Sequence, residues 1–467
     1  MTRASAPRTT ILEMGSEKLC VSLTPGSLDD VFASDVSGVD CLEVRLDYLK
    51  NPKQSKEARW DRLPVPVIAT CRGKERGGLF EGTIEDEVDI LQAAARNGAK
   101  YVDIDYRFAR PMPPADVIAS YHNFEETPGN LVDIVNQAFA ANAAIAKVAT
   151  QVNRWADNRR LFDLLAQTNP KPLIISGMGE IGQITRIAGP SRGSFLSYAA
   201  STRQAAAGQL TVPEMLDTYK FRRIRRSTRL LGILGMPVSH SLSPVLHNRA
   251  FELSNLDFAY VKLPAPDVND FMENARAVGL AGFSVTIPHK ISMLPFMSRL
   301  TPAATAVGAV NTVSDENGTW IGDNTDVHGV EMALQSVGFR AQGRKVVIMG
   351  RGGGAKAAVA AVKDAAEVRV LPRTEVSAAG SARCDLLINA TPVGMFPKVE
   401  DSPVTGPIAA DVVFDMVYNP ATTMLLRVAA SQGKTTVPGT RMFFAQAARQ
   451  FEIWTKQPAP REVYASE

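Results

Sequence analysis

KVVIMGRGGGAKAAVAAVKDA, residues 345–365, reads as strand, glycine turn and helix in one piece, the opening of a Rossmann-type α/β lobe. Gly350, Gly352, Gly353, Gly354 and Ala355 follow the apolar run and open the helix. That context turns a weak glycine pattern into a pyrophosphate site, because backbone N–H groups at a helix start meet anionic phosphate. The next strand, VRVL, ends in Pro372, Arg373 and Thr374, where an acidic residue would hydrogen-bond the ribose of NAD. Arg373 favours a 2'-phosphate and hence NADP, while Glu375 beside it leaves NAD open.

Outward from this unit, RLLGILG opens an earlier α/β lobe, and the basic run RRIRRSTR at 222–229 reads as a solvated linker. Before it lie eight short apolar runs, LCVSL, CLEVRL, PVIATC, YVDID, VIASY, AIAKVAT, PLIIS and SFLSYA, with helical patterns between most of them. Parallel strands buried on both faces read in this way, so a (β/α)8 TIM barrel is expected. The 467 residues thus divide into a barrel at 17–221, the linker, a substrate lobe at 230–332, a dinucleotide lobe at 333–436 and a returning helical segment at 437–467.

With 45% hydrophobic and 21% charged residues the composition is that of a globular enzyme, and no apolar run approaches a membrane span. The N-terminal segment lacks the apolar core of a secretory signal, so a cytoplasmic protein with no membrane anchor is expected. A net charge of +3 gives no argument for nucleic acid. Cys20, Cys41, Cys71 and Cys384 stand far apart with no C-x-x-C pair, which reads as buried reduced thiols and no metal.

Two lysines carry the chemistry. Lys147 is a lone charge in the apolar run AAIAKVAT; the preceding strand carries His122 and the one before that Asp103. A strand-end lysine can simply snorkel to water. On a parallel barrel, however, residues near successive strand ends converge at one mouth. A desolvated lysine there is a nucleophile towards a carbonyl, and a histidine within reach can move the proton beside the resulting imine. Such a pair suits dehydration of a β-hydroxy ketone. The second lysine ends GFSVTIPHK (282–290) and is followed by GAVNT (308–312) and GDNTD (322–326), which set Lys290, Asn311 and Asp326 in turn-like frames. A carboxylate beside a lysine keeps it charged and able to donate a proton.

The three later motifs together resemble shikimate dehydrogenase. The resemblance implies Lys290 and Asp326 as acid/base pair and Ser241 and Ser243 of GMPVSHSLSP as holders of the substrate carboxylate. It also implies Thr286, Asn311 and Gln446 on ring hydroxyls. Asn389, Thr391, Met395, Tyr418 and Gly439 would lie near the cofactor or the reacting ring, with His289 and His328 as scaffolding. The first half resembles type I 3-dehydroquinate dehydratase, which implies Lys147 and His122 as catalytic residues. Glu43, Arg45, Arg72, Asp103, Arg186 and Gln209 would then bind substrate, Arg186 as the carboxylate clamp. Two positions depart: Arg76 stands where that family has a glutamate, and Ala205 where it has a serine, so weakened dehydratase activity is expected. The whole chain resembles the fused enzyme that would convert 3-dehydroquinate to 3-dehydroshikimate and, with NADPH, to shikimate. A quinate-preferring dehydrogenase with a fading dehydratase half, and a quinate-sensing regulator without turnover, are the alternatives.

Overall fold

The computed structural model describes residues 18–167, 171–201, 208–372, 374–375 and 380–465. Arg373 and Ala205 lie outside the described residues. The chain splits into two compact units, Met1–Thr228 and Arg229–Glu467.

The first unit is built on β1 (Leu19–Leu23), β2 (Cys41–Arg45), β3 (Val67–Thr70), β4 (Tyr101–Asp105), β5 (Asp116–Asn123), β6 (Ile145–Gln151), β7 (Leu173–Met178) and β8 (Ser197–Ala200). All neighbours pair in parallel in the order β7-β6-β5-β4-β3-β2-β1-β8. A bridge between Leu173 and Ser194 brings the chain entering β8 against β7 and nearly closes the ring. Helices α1 (Leu28–Phe32), α2 (Ile84–Arg96), α3 (Leu131–Ala140), α4 (Trp155–Ala166) and α5 (Gln183–Ala188) fill most crossovers. Between β4 and β5 there is a loop instead, as the prolines at 111, 113 and 114 dictate.

Side chains alternate faces along a strand, and this alternation makes the site. Cys20, Cys41, Ile68, Ile118, Ile145 and Ile174 pack as a buried apolar floor inside the barrel. Two residues further along the same strands come Ser22, Glu43, Thr70, Ser120, Lys147 and Ser176, all buried. The interior therefore changes from apolar to polar towards the strands' C-terminal ends. The four cysteines are buried free thiols. The basic run expected as a solvated linker is tied down over its first half: Arg222 pairs with Asp40 at 2.6 Å, and Ile224 is buried.

The second unit opens with β9 (Arg229–Gly235), α6 (Ser243–Leu253), β10 (Phe258–Pro264), α7 (Val268–Asn274), β11 (Gly282–Val285), β12 (Arg299–Leu300), α8 (Pro302–Val307), β13 (Thr312–Glu316) and β14 (Thr319–Asp323). These strands form a mixed sheet in the order β10-β9-β11-β13-β14-β12. After α9 (Asp326–Gln335) come β15 (Lys345–Met349), α10 (Gly353–Ala361), β16 (Glu367–Leu371), β17 (Leu386–Asn389), β18 (Val412–Asp415), α11 (Met424–Ser431) and β19 (Thr435–Val437). Their all-parallel sheet runs β16-β15-β17-β18-β19, with the glycine turn between β15 and α10. Finally α12 (Gly439–Thr455) returns to the first sheet, followed by α13 (Arg461–Tyr464). Met442 of α12 packs in the core of the dinucleotide lobe, whereas Ala447, Phe451 and Trp454 pack with Leu231, Phe251 and Tyr260 of the substrate lobe. Among the described residues no helix is long and apolar enough to cross a membrane.

Candidate active sites

In the barrel, one cavity is lined by Glu43, Arg45, Arg72, His122, Lys147, Arg186, Tyr198 and Gln209 among others. Lys147 Nζ lies 3.0 Å from Asp103 Oδ2 and 3.3 Å from Glu43 Oε1, with the Tyr198 ring centroid 4.0 Å away. The lysine is buried, as expected, but not isolated. The apolar residues around it in sequence, Ala146 and Val148, face outward, and its own face of the strand is polar. Glu43 is fixed by Ser22 Oγ and, at 3.1 Å, by Thr70 Oγ1. Burial alone would raise the Glu43 carboxyl, but the Lys147 charge overrides it and the group stays below its ordinary value.

Asp103, expected to bind substrate, stands behind the cavity instead. Its Oδ1 accepts from Arg72 Nη2 at 2.9 Å and Ser120 Oγ at 2.7 Å, and its Oδ2 accepts from Lys147. Both of its oxygens are engaged within the protein. Against the effect of burial, Lys147 and Arg72 hold its carboxyl well below the usual range. The other nitrogen of the Arg72 fork meets His122 Nε2 at 3.0 Å, so that ring nitrogen accepts. Burial, then the charges of Arg72 and Lys147, push His122 far below its ordinary pKa, which makes it a neutral base.

Arg186 is 3% exposed and donates from Nε to Gly177 O at 3.1 Å; burial lowers its pKa to about 10. No acidic side chain among the described residues pairs with it. A buried guanidinium without an anion is costly, so its place in the cavity suits an anionic ligand. Arg45 is held bidentately by Asp47 at 3.0 and 2.8 Å while still lining the cavity. Arg76 forms a buried pair with Glu87 at 2.6 Å and also meets Glu75 at 2.9 Å. Burial lifts the Glu87 carboxyl to about 7 in spite of that partner.

In the second unit Lys290 Nζ lies 2.5 Å from Asp326 Oδ2, and Asn311 Nδ2 donates to Asp326 Oδ1 at 2.8 Å. Thr325, Asn311 and Gln446 also meet: Thr325 Oγ1 lies 3.0 Å from Asn311 Nδ2 and 3.4 Å from Gln446 Oε1. The backbone N–H of Ser243 donates to Ser241 Oγ at 3.3 Å, at the start of α6. A Cβ on Gly235, which opens this serine loop, would lie 2.4 Å from Thr286 Cγ2, so loop and threonine adjoin. His289 donates to Ala265 O at 2.7 Å and is scaffold, whereas His328 is exposed on α9 and supports nothing.

The glycine turn fits a pyrophosphate. Gly350 has φ 111°, and a Cβ there would stand 2.9 Å from Ala390 O. Gly352 caps α10, and Gly353 and Gly354 begin it without side chains, so the first N–H groups of that helix are free of steric cover. A Cβ on Gly353 would lie 3.1 Å from Lys290 Cδ, so the turn abuts this lysine. Thr374 is exposed past the end of β16. Tyr418 stacks on Phe443 at 4.5 Å, and the Met395 loop reaches the serine loop through an edge contact of Phe396 on His240 at 4.9 Å.

Four residues expected near the cofactor also have roles within the protein. Ala355 is buried in the lobe's core. Asn389 is fully buried, accepting from Thr391 and donating to Asp415 Oδ1 at 2.9 Å, so it and Thr391 brace the loop after β17. Gly439 is demanded by packing, since a Cβ would stand 2.4 Å from Val417 O.

Residues 19–226 match the family model of type I 3-dehydroquinase, 233–313 that of the shikimate dehydrogenase substrate binding domain and 439–463 that of the shikimate 5'-dehydrogenase C-terminal domain. A protein of Arabidopsis thaliana named bifunctional 3-dehydroquinate dehydratase/shikimate dehydrogenase, chloroplastic, is 34% identical, the match covering 98% of this chain and 86% of that one. The chain belongs to this bifunctional family. The shikimate dehydrogenase (NADP(+)) of Trichormus variabilis is 36% identical over 50% of this chain and 93% of its own. A shikimate 5-dehydrogenase of Listeria monocytogenes, solved with shikimate and NAD, is 30% identical, covers 52% of this chain and 96% of its own, and has a TM-score of 0.46. In this member of the bifunctional family, sequence reading missed Ser22, Thr70, Ser120 and Tyr198. The period-two alternation that carries Glu43 and Lys147 into the barrel would have carried these with it.

Proposed function

We propose that the barrel, 17–221, dehydrates 3-dehydroquinate through an imine on Lys147, and that 230–332 with 333–436 and the returning 437–467 reduce 3-dehydroshikimate to shikimate with NADPH. The protein is a bifunctional enzyme of the shikimate pathway, a dehydratase and an NADP-linked dehydrogenase. The observation that carries the first activity is a buried lysine sharing one cavity with a buried arginine that has no acidic partner among the described residues. Arg186 takes the substrate carboxylate as a bidentate ion pair. That contact sets the ring ketone towards Lys147. Lys147 passes a proton to its carboxylate neighbours, attacks the ketone and, with loss of water, becomes an iminium. Neutral His122, its Nε2 released from Arg72 when substrate enters, removes the proton from the adjacent carbon and returns it to the departing hydroxyl, so one water leaves and an enone remains after hydrolysis of the imine. With Arg76 committed to Glu87, His122 has an arginine rather than a carboxylate behind it, and we infer a dehydratase slower than one with that carboxylate.

In the second unit Gly350 and Gly352–354 would hold the pyrophosphate, and bound NADPH supplies hydride. Ser241 and Ser243 hold the substrate carboxylate, and Asn311, Thr286 and Gln446 the ring hydroxyls. Lys290, oriented by Asp326, donates the proton to the oxygen that becomes a hydroxyl. Four buried free thiols fit a reducing compartment. We place the enzyme in the cytoplasm, and fractionation of source cells against plastid markers tests that. Its partners are small molecules, with part of the basic run spent on Asp40.

The test is borohydride reduction in the presence of 3-dehydroquinate, followed by mass mapping. One adduct on Lys147 is expected, and an adduct on another lysine, or none, refutes the imine.

A further inference from the structure

We propose that Gln450, on α12, is a positioning residue for the reductase site: it sets the direction of a buried hydrogen-bond path that ends on Asp326. The inference rests on reading Lys290 and Asp326 as the acid/base pair.

The path begins at Tyr260, whose hydroxyl is buried 2.6 Å from Ser284 Oγ and also faces Ser243, one of the two serines assigned to the substrate carboxylate. Ser284 donates its hydrogen to Gln450 Oε1 at 2.9 Å, so it accepts from Tyr260. On the other side of the same amide, Gln450 Nε2 donates to Thr312 Oγ1 at 3.0 Å and to Asn311 O at 3.3 Å. Thr312 in turn donates to Asn311 Oδ1 at 2.7 Å, and that oxygen also takes the backbone N–H of Thr325 at 2.8 Å. Asn311 Nδ2 then donates to Asp326 Oδ1, leaving Oδ2 to Lys290.

Each donor along this path points from Tyr260 towards Asp326. An amide has one acceptor end and one donor end, so Gln450 is the element that imposes the direction. Thr325 already decides which way the Asn311 amide faces. Gln450 decides where the Thr312 hydrogen goes, and pins the backbone at Asn311. All of these groups are buried, where an unmade hydrogen bond costs most and bonds in series strengthen one another. The His247 ring also faces Gln450 and is kept neutral by burial, with its pKa lowered to about 3, so it brings no charge to the path. Since α12 spans the cores of both lobes, Gln450 is also, with Gln446, a point at which that helix grips the catalytic turn.

The test uses the full chain, with shikimate oxidation by NADP and dehydration of 3-dehydroquinate measured in parallel. Gln450→Met keeps the length and removes both polar ends. Thr312→Val breaks the next bond, and Thr312→Ser keeps it. Gln450→Met and Thr312→Val should each lower kcat for shikimate oxidation about tenfold, the scale of one buried hydrogen bond lost. KM for NADP and the dehydration rate should stay unchanged. Thr312→Ser should keep near-wild-type kcat, and the double variant should be no slower than the worse single one. A Gln450→Met enzyme within twofold of wild type, or losses that multiply in the double variant, overturns the proposal. Lys290→Ala is run alongside. Activity there refutes the acid/base reading itself, whereas a dead Lys290→Ala beside an unimpaired Gln450→Met refutes only the role of Gln450.

Discussion

Lys147 lies inside a barrel between two carboxylates, its side chain 6% exposed, while Lys290 stands beside one carboxylate with its side chain 20% exposed. Isolation does not separate them, because both are ion-paired. Enclosure and construction do. The cage around Lys147 on β6 comes from inward-facing residues of every second strand, Glu43 on β2, Asp103 on β4 and Tyr198 on β8, so its charges are fixed by the barrel's own register. The setting of Lys290 comes from the turns after β11, before β13 and after β14, tied together by side-chain hydrogen bonds. A covalent amine must hand its proton to neighbours and be kept from water; a proton donor must be reached from a cleft that admits substrate and nucleotide. The two constructions match these two demands.

The sharpest way to break the comparison is to remove each lysine. Lys147→Ala should lower dehydration on the order of ten-thousandfold or more, as loss of a nucleophile does. Reduction of 3-dehydroshikimate should stay within about twofold. Lys290→Ala should lower reduction by roughly a thousandfold, as loss of a general acid does, with dehydration intact. Separate assays with 3-dehydroquinate alone and with 3-dehydroshikimate plus NADPH read both. Loss of both activities in either variant would show that the two sites are not independent.

A smaller effect sharpens the account of the barrel's charges. Arg186 has no carboxylate partner among the described residues, unlike Arg45 or Arg72. Arg186→Leu should therefore raise KM for 3-dehydroquinate roughly a hundredfold, the scale of a lost buried ion pair with ligand. The thermal midpoint should hold or rise, because no protein carboxylate is left stranded. An unchanged KM would refute the clamp, and a steep fall in the midpoint would make Arg186 structural.

The strands, the glycine turn and both lysines were legible because each rests on a local pattern: an apolar run, a run followed by glycines, a charge where none is expected. What decides the roles of Asp103, Asn389 and Arg76 is not local. Asp103 reads as one more polar residue at a barrel mouth until Arg72, Ser120 and Lys147 are seen to engage both of its oxygens. Asn389 reads as a polar residue at a strand end, and its tie to Asp415, distant in sequence, shows only in the fold. Arg76 looks like a lost partner for His122, but its charge is absorbed by Glu87 on the following helix. Such pairings depend on which side chains the fold brings together, and spacing alone does not contain that.

The mildest expected effect concerns His122. Its pKa lies well below the ordinary 6.5, first through burial and then through Arg72 and Lys147, with Asp103 opposing. Dehydration needs the neutral ring, and a depressed pKa keeps the ring neutral as pH falls. The acid limb of kcat/KM should therefore lie below pH 6.5, with activity lost only as pH drops through the lowered value. By linkage the same shift makes the barrel less stable as pH falls below 6.5, because the unfolded chain binds the proton first. Arg72→Gln removes the larger of the two cationic contributions and should move the limb upward, towards the value of a free histidine. A limb already at or above 6.5 in the wild type would mean that the charges around Lys147 do not reach its base, and the barrel would lose the electrostatic distinction drawn between it and the reductase cleft.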